Sequence, residues 1–331
     1  MNRKALSLLS GGLDSILATR LVRDQGIDIE AVHYSIGFAC SKKPIPSALH
    51  RTAERLKVPL TVFDVAEEFL GVVKDPRHGY GANINPCIDC KIFMLKKAKE
   101  YLAQAGASFV ITGEVLGERP MSQRRDTLML IERESGLPGL ILRPLSASLL
   151  PETLPEKEGV VDRSRLLGIR GRSRKPQIAL ARQFGIDEYP APAGGCLLTD
   201  QGFTARMKDL IASGSFTRDN IELLKVGRHF RLSPGLKFVV GRDEAENSAL
   251  LGLAGKDDML FEVEDVPGPL ALLRGEGKDA FLREAAEIVA YHTKARDNPS
   301  LTVSFWLYPH NEKQFLKVTP SKRECIDSKR I

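Results

Sequence analysis

The chain has no apolar run of membrane-spanning length, which excludes a transmembrane helix among its 331 residues. It shows no secretory leader pattern. Met1, Asn2, Arg3 and Lys4 run directly into a strand-like stretch, so the cytoplasm is the expected compartment and a membrane is not an expected partner. Cysteine is scarce, five in all, and in a reducing compartment these thiols are expected to be reactive, metal-binding or simply buried rather than disulfide-bonded. There is no acidic excess either: 48 Lys and Arg against 42 Asp and Glu give a formal net charge of +6, which by itself favours a polyanionic partner only weakly. What is present is a 43% hydrophobic composition, enough for real cores, over a length that suggests two domains.

The stretch that organises the chain is Ser10-Gly11-Gly12-Leu13-Asp14-Ser15. It follows an apolar run at 5–9 and precedes an amphipathic segment at 16–23, the order of strand, tight turn and helix. Gly11 and Gly12 permit backbone angles that other residues avoid and let a ligand approach the main chain. The helix start beyond them is a natural anion site, and Ser10 and Ser15 add hydroxyl donors. Asp14 does not bind phosphate unaided, so its expected work is to hold Mg2+ or orient the loop. The turn lacks the Lys of the Walker phosphate loop and the spacing of the dinucleotide fingerprint. It resembles the SGGxDS signature of PP-loop ATP pyrophosphatases, which cleave ATP to AMP and pyrophosphate and attach the AMP to a substrate oxygen.

Strands are expected at 29–34, 60–65, 109–112 and 140–143, with helices at 47–56, 91–105 and 176–184, an alternation that argues for a doubly wound parallel α/β sheet. His33 stands near the end of the second strand, where open parallel sheets bind ligands, and Thr112, Gly113 and Glu114 end the fourth beside the phosphate turn. Residues 74–90 break the pattern with glycine, proline and charge and lead into Asn85-Pro86-Cys87-Ile88-Asp89-Cys90 at the start of a helix. A helix N-terminus favours thiolate, and the spacing lets both sulfurs face one centre. A redox pair, a zinc half-site and iron–sulfur ligation all remain open for the pair, with His78 a remote zinc candidate. A basic run, Arg163, Arg165, Arg170, Arg172, Arg174 and Lys175, reads equally as a solvated face or as contacts to RNA or ATP phosphates. Cys196 follows a loop rich in proline and glycine, whereas Cys40 and Cys325 read as idle.

SGGLDS, NPCIDC before a helix, TGEVLGERPMSQ, LRPLS and Cys196 follow the order seen in PP-loop tRNA sulfurtransferases. The TGE-LG-SQ and LRPL pieces look most like 4-thiouridine synthetases, and NPCxxC looks like the 2-thiouridine group. The resemblance covers about residues 1–200, without the THUMP or rhodanese domains of many 4-thiouridine synthetases. It implies a nucleotide site drawn from Ser10, Gly11, Gly12, Asp14, Ser15, His33, Thr112, Gly113, Glu114 and Gln123, with ATP and Mg2+ as cofactors. It also implies that Cys87, Cys90 and Cys196 either ligate a [4Fe–4S] cluster with one iron open for sulfide, the favoured form, or work as a persulfide relay that Cys196 resolves.

From about residue 202 the character changes to a smaller α+β domain. Alternating strands are expected at 226–232 and 237–242, a helix at 243–253, a strand at 259–264 and a long amphipathic helix at 278–294. VVGRDEAEN, FEVEDVPGP and REAAEIVAYHTKAR resemble the RNA-binding domain of NFACT proteins, over about residues 205–310. Arg228, His229, Arg231 and Arg242 would form a basic face for phosphate. Trp306 and Phe305 could stack on a base, although strand aromatics are more often core. The expected division is therefore 1–200, 205–320 and a polar tail at 321–331.

The expected function is ATP-dependent tRNA sulfurtransfer: adenylation of a uridine carbonyl oxygen, then its replacement by sulfur. tRNA and a sulfur donor, sulfide or a cysteine desulfurase, are the expected partners, and a homo-oligomer is admitted. The competing readings are a PP-loop ligase or amidase on a small acid or nucleotide, against which the three cysteines argue, and a non-catalytic RNA- or ribosome-associated factor, against which the intact SGGLDS argues.

Overall fold

The structure is a computed structural model and describes residues 1–38, 45–189, 196–264 and 266–331. Cys40 and most of the proline- and glycine-rich loop before Cys196 lie outside the described residues. The chain divides into two compact units, Met1–Thr199 and Asp200–Ile331.

The first unit runs β1 Lys4–Leu8, α1 Leu13–Arg23, β2 Asp28–Ser35, α2 Ile45–Leu56, β3 Leu60–Asp64, α3 Ala66–Lys74, α4 Cys87–Ala105, β4 Phe109–Ile111, α5 Arg125–Glu134, β5 Ile141–Leu142, α6 Leu154–Lys157 and α7 Lys175–Gln183. Its five strands are all parallel, in the order β3-β2-β1-β4-β5. Side chains alternate faces along each strand, and the alternation sorts the apolar residues into two cores. Ala5, Ile29, Ala31, Phe109, Ile111 and Leu142 pack with α1, α2 and Ala181 of α7 on one face. Leu6, Val32, Tyr34, Val110 and Ile141 pack with Ile92, Leu95 and Ala98 of α4 and Ile131 of α5 on the other. The sheet is therefore wound on both faces, as expected. The strand order reverses direction at β1, whose other neighbour is β4, and the crevice at the carboxyl ends of that pair is where such sheets take ligands.

The helices α3 and α5 lie in segments to which the sequence reading assigned no element. The cysteine helix begins at Cys87 rather than at 91.

The second unit contains α8 Gln201–Ala212, α9 Arg218–Leu223, β6 Arg228–Ser233, β7 Leu236–Val240, α10 Glu244–Leu253, β8 Met259–Val263, β9 Ala271–Gly275, α11 Leu282–Tyr291, β10 Leu301–Leu307, β11 Gln314–Val318 and α12 Arg323–Lys329. Its six strands form an antiparallel sheet in the order β11-β10-β8-β9-β7-β6. One face packs on α11 through Ala285, Ala286, Ile288 and Val289. The expected helix at 278–294 is instead a 3-10 turn, Lys278–Phe281, followed by α11. It stops early because the Thr293 hydroxyl donates to Ala290 O at 2.8 Å and takes up a carbonyl of the last turn. The stretch read as a polar tail forms α12, which buries Ile326 in the same core. Phe305 is core, stacked on Phe261 at 5.8 Å, and Trp306 is covered by the Lys313 ammonium at 5.2 Å.

Candidate active site

The turn after β1 is braced by its own hydroxyls. Ser15 is buried; its Oγ donates to Gly12 O at 2.8 Å and accepts from Ser10 Oγ at 3.1 Å and Ser10 N at 3.3 Å. The two serines thus hold the turn's shape as well as supplying donors. Gly11 has φ +79, the left-handed region, so glycine is required there. Gly12 is in ordinary extended backbone at φ −75, so of the two glycines only Gly11 uses the angles that glycine permits. Its place at the N-cap leaves the start of α1 without a side-chain cap, so the first helical N–H groups stay available.

Asp14 is the unsatisfied member. Its Oδ1 is buried without a hydrogen-bond partner. Burial raises its pKa, and Arg174, Gln177 and Arg119 act in the opposite direction. The Gln177 amide lies beside the Asp14 carboxylate without a well-formed hydrogen bond: its Nε2 and Oε1, and Arg174 Nε, are buried and unpaired as well. Glu118 joins the group; burial and the Asp14 charge raise its pKa against Arg119 and Arg174. Buried polar atoms are nearly always paired, so several orphans around one turn indicate a place built for a ligand. Arg174 was legible as part of the basic run. Gln177, Glu118 and Arg119 were not singled out as site residues. The available signal was a glutamine four residues before Ala181 on the buried face of a helix, where an amide has no packing reason to be.

The rest of the basic run divides by partner. Arg163 is structural: it pairs with Glu156 at 2.6 Å and donates to the carbonyls of Ala147 and Leu150. Arg165 donates to Asp24 O at 3.0 Å. Arg170, Arg172 and Lys175 are exposed.

The segment after β4 packs against the turn. A Cβ built on Gly113 would lie 2.4 Å from Ser15 N and 2.6 Å from the Asp14 carbonyl carbon. Only glycine allows this approach. Gly113→Ala must push β4 away from α1, and is expected to cost about 1–3 kcal/mol in chemical denaturation while weakening nucleotide binding measured by calorimetry. Thr112, Glu114 and Gln123, candidate nucleotide contacts, are all buried. Gln123 Oε1 accepts Arg119 N at 3.0 Å and its backbone O accepts Gly117 N at 2.7 Å, closing the loop that carries Glu118 and Arg119. Glu114 pairs with Arg143 at 3.1 Å and lies 3.9 Å from Lys91, and it accepts from the Thr112 hydroxyl at 3.2 Å. Burial pushes its carboxyl upward, but Lys91 and Arg143 hold it below the ordinary range. Glu114 therefore ties the end of β4 to the LRPLS strand and to the cysteine helix. His33, half-buried, donates from Nδ1–H to Leu9 O at 2.9 Å; burial lowers its pKa, so a neutral ring stands beside the turn.

Cys87 and Cys90 occupy the first turn of α4 and are half-buried. The loop before them is anchored on Asp89: His78 N and Nδ1 meet its carboxylate at 3.0 and 2.9 Å, and His78 Nε2 faces Glu134 at 3.5 Å. His78 is thereby engaged in holding the loop rather than standing with the cysteines as a zinc ligand. The segment at Cys196 is fixed by its neighbours, near enough for Cys196 to act on Cys90. Leu197 N donates to Phe38 O at 3.0 Å, Asn83 Nδ2 donates to Thr199 O at 2.7 Å, and the Thr199 hydroxyl donates to Cys196 O at 2.7 Å. Burial pushes the Cys90 thiol up to about 12 against the charge of Lys91, and the nearby Cys196 and Cys87 push it further the same way. Burial likewise raises Cys87 against Arg119 and Lys91. The thiolate expected at a helix start is thus not favoured, because desolvation outweighs the neighbouring cations. Among the described residues no three His, Cys, Asp or Glu side chains are grouped as a metal ion requires. Cys87 and Cys196 act on Cys90 electrostatically without forming such a group.

Among curated proteins, the chain is similar to a probable tRNA sulfurtransferase of Thermococcus kodakarensis, 29% identical over 178 residues, covering 53% of this chain and 43% of that protein. It is also similar to the tRNA-specific 2-thiouridylase MnmA of Acidithiobacillus ferrooxidans, 35% identical over 121 residues, 34% of each. The chain thus spans less than half the length of these relatives. Among solved structures, a 4-thiouridine synthetase in complex with RNA and bound ATP aligns over 55% of this chain and 51% of that one, with 17% identity and a TM-score of 0.36. Residues 227–329 match the family described as NFACT protein RNA binding domain. Residues 1–168, more than half of the chain, match the family described as thiamine biosynthesis protein (ThiI), and the chain belongs to that family.

Proposed function

We propose that the chain is an ATP-dependent tRNA sulfurtransferase acting in the cytoplasm. What supports this reading is the unsatisfied phosphate turn after β1, with Cys87 and Cys90 in the first turn of α4 and Arg119 near enough for its charge to act on both Asp14 and Cys87. The relatives named as tRNA-thiolating proteins support it, as does the RNA-binding family match of the second unit.

ATP lies over Gly11 and Gly12 with its phosphates on the open N-terminus of α1 and on Arg174 and Arg119. The orphaned Asp14 Oδ1, with Glu118 near it, fits a magnesium ion, which would neutralise phosphate charge there. The uridine carbonyl oxygen attacks the α-phosphorus; the new P–O bond replaces the bond to the bridging oxygen, and pyrophosphate leaves. This converts a poor leaving oxygen into AMP. A persulfide on one thiol of the Cys87 and Cys90 pair then attacks the activated carbon through its outer sulfur, expelling AMP. Cys196 attacks the inner sulfur, thiouridine departs, and a disulfide remains. A dithiol reductant restores the two thiols, and a desulfurase persulfide passes its outer sulfur to one of them by exchange, leaving the desulfurase thiol.

Cys196→Ser separates the two half-reactions. tRNA-dependent pyrophosphate release should stay within about twofold of the unsubstituted chain, while thiouridine measured by nucleoside mass spectrometry falls by about 10²-fold or more. Loss of both would place Cys196 in adenylation and remove the relay; full retention of thiouridine would remove Cys196 from the chemistry.

A further inference from the structure

The second unit gathers four arginines, with fewer carboxylates among them, at one end of its sheet. β6 and β7 pair with Arg228 opposite Val240. Arg228 Nη1 donates to Gly241 O at 2.9 Å, and Arg242 Nη2 donates to Gly227 O at 2.7 Å, so each guanidinium lies across the end of the other's strand. A guanidinium has five N–H donors, and these contacts leave most of them unused. Arg330 joins through a bridge to Phe230, with Ile331 N donating to His229 O at 3.0 Å. His292 packs on the Phe230 ring at 5.8 Å. Arg206, from α8, completes the group: Arg242 and burial both act against its charge, as Arg242 and Arg330 do on Arg228.

Asp200 lies near enough to act on the Arg206 charge, and Glu246, the other carboxylate among them, faces Arg242 Nε at 3.5 Å with its Oε2 also accepting from Gly227 N at 3.2 Å and Arg242 N at 3.0 Å. It holds the two strand ends together more than it neutralises four guanidiniums. Arg206 Nε and His292 Nε2 are buried without hydrogen-bond partners, as is Nδ1 of His229, which is 2% exposed. The other basic residues of the same two strands behave oppositely. Arg231 makes two bonds to Asp209, at 3.0 and 2.6 Å, and Lys237 meets the same carboxylate at 2.9 Å. A cleft lined by Asn220, Asp258, Arg274 and Lys278 offers no free guanidinium of this kind, because Arg274 already donates to Asp258, Asn220 and Leu253 O. The basic face read from the sequence as Arg228, His229, Arg231 and Arg242 therefore splits in two, and one part is neutralised internally.

We propose that Arg228, Arg242, Arg206 and Arg330, gathered at the β6–β7 end, form a phosphate-binding site for the backbone of an RNA strand. Planar guanidinium forks match phosphate oxygens, and several of them with little compensating charge match consecutive phosphates better than a single free anion. This rests on the sulfurtransferase reading for the identity of the RNA, a tRNA, while the site itself is read only from the second unit. The VVGRDEAEN segment acquires a physical role in it: Asp243 caps α10, Glu246 fixes the strand ends, and Asn247 binds Leu270 N at 3.0 Å.

The test is binding of a fluorescent unmodified tRNA transcript to the full chain across 50–200 mM KCl. The double variant Arg228→Gln, Arg242→Gln should raise Kd about tenfold or more and reduce the slope of log K against log salt by about 1.5. Arg231→Gln, beside the site but paired to Asp209, should leave that slope unchanged. Unchanged Kd and slope in the double variant, with thermal unfolding matching the parent, would overturn the proposal. So would loss of heparin binding with tRNA binding retained. Pyrophosphate release by the unsubstituted chain is scored separately: if it fails while the salt slope still falls, the RNA site stands and the sulfurtransferase reading does not.

Discussion

Asp14→Asn should reduce tRNA-dependent pyrophosphate release by about 10²-fold or more while leaving the fold intact. The substitution conserves volume, so packing against Gly113 and Ser15 is unchanged. What disappears is the charge at the one carboxylate oxygen of the turn that is buried and unpaired. Arg174 and Arg119 then face the phosphates without the counter-charge that a cation at Asp14 would share with them. A merely structural Asp14 predicts the reverse, because removing a buried, poorly satisfied charge should stabilise the protein and spare the reaction. Thermal unfolding and pyrophosphate release measured on the same preparation separate the two.

Arg143→Met should destabilise the first unit by about 3–5 kcal/mol, the largest stability effect expected for a single change in this chain. Arg143 and Glu114 are each 2% exposed at the side chain, 3.1 Å apart, with Glu132 on the far side of the guanidinium at 2.9 Å. Removing the cation leaves Glu114 in the interior with only Lys91, at 3.9 Å, to offset its charge. The double variant Glu114→Gln, Arg143→Met should recover much of the loss, since it removes the stranded charge as well. Urea denaturation followed through the first unit's transition measures both. The sign with pH also follows. The Glu114 carboxyl is held below its ordinary value in the folded protein, so the pair's contribution is present above that ordinary value. It is lost as pH falls through the depressed one. Because Lys91 adjoins Cys90, displacement of Glu114 should also disturb the thiols, and sulfur transfer should fall with stability.

The architecture of the first unit was legible because its signals are local. A period-two apolar pattern, a glycine turn after the first strand and helices between strands leave few topologies for a parallel sheet. The turn at 10–15 and the cysteines at a helix start follow from the same kind of signal. Other features depend on contacts distant in sequence. That Gly113 rests on Ser15, that Glu114 meets Arg143, and that Gln177 lies beside Asp14 are tertiary facts about residues whose own neighbourhoods look ordinary. The protonation of the thiols reversed for the same reason: the helix start is visible in sequence, whereas the burial that outweighs it is not. In the second unit the basic face was visible as composition, but only the position of Asp209 shows that Arg231 is neutralised while Arg228 is not.

The central claim is that one site activates a tRNA uridine with ATP and then replaces its oxygen with sulfur. The most direct test supplies α-labelled ATP, unmodified tRNA and a cysteine desulfurase with its cysteine substrate to the full chain, anaerobically and with a dithiol reductant, and follows labelled nucleotide and thiouridine together. AMP should form only when tRNA is present, in a one-to-one ratio with thiouridine. ADP as the product, or AMP release indifferent to tRNA with no thiouridine formed, would contradict that claim.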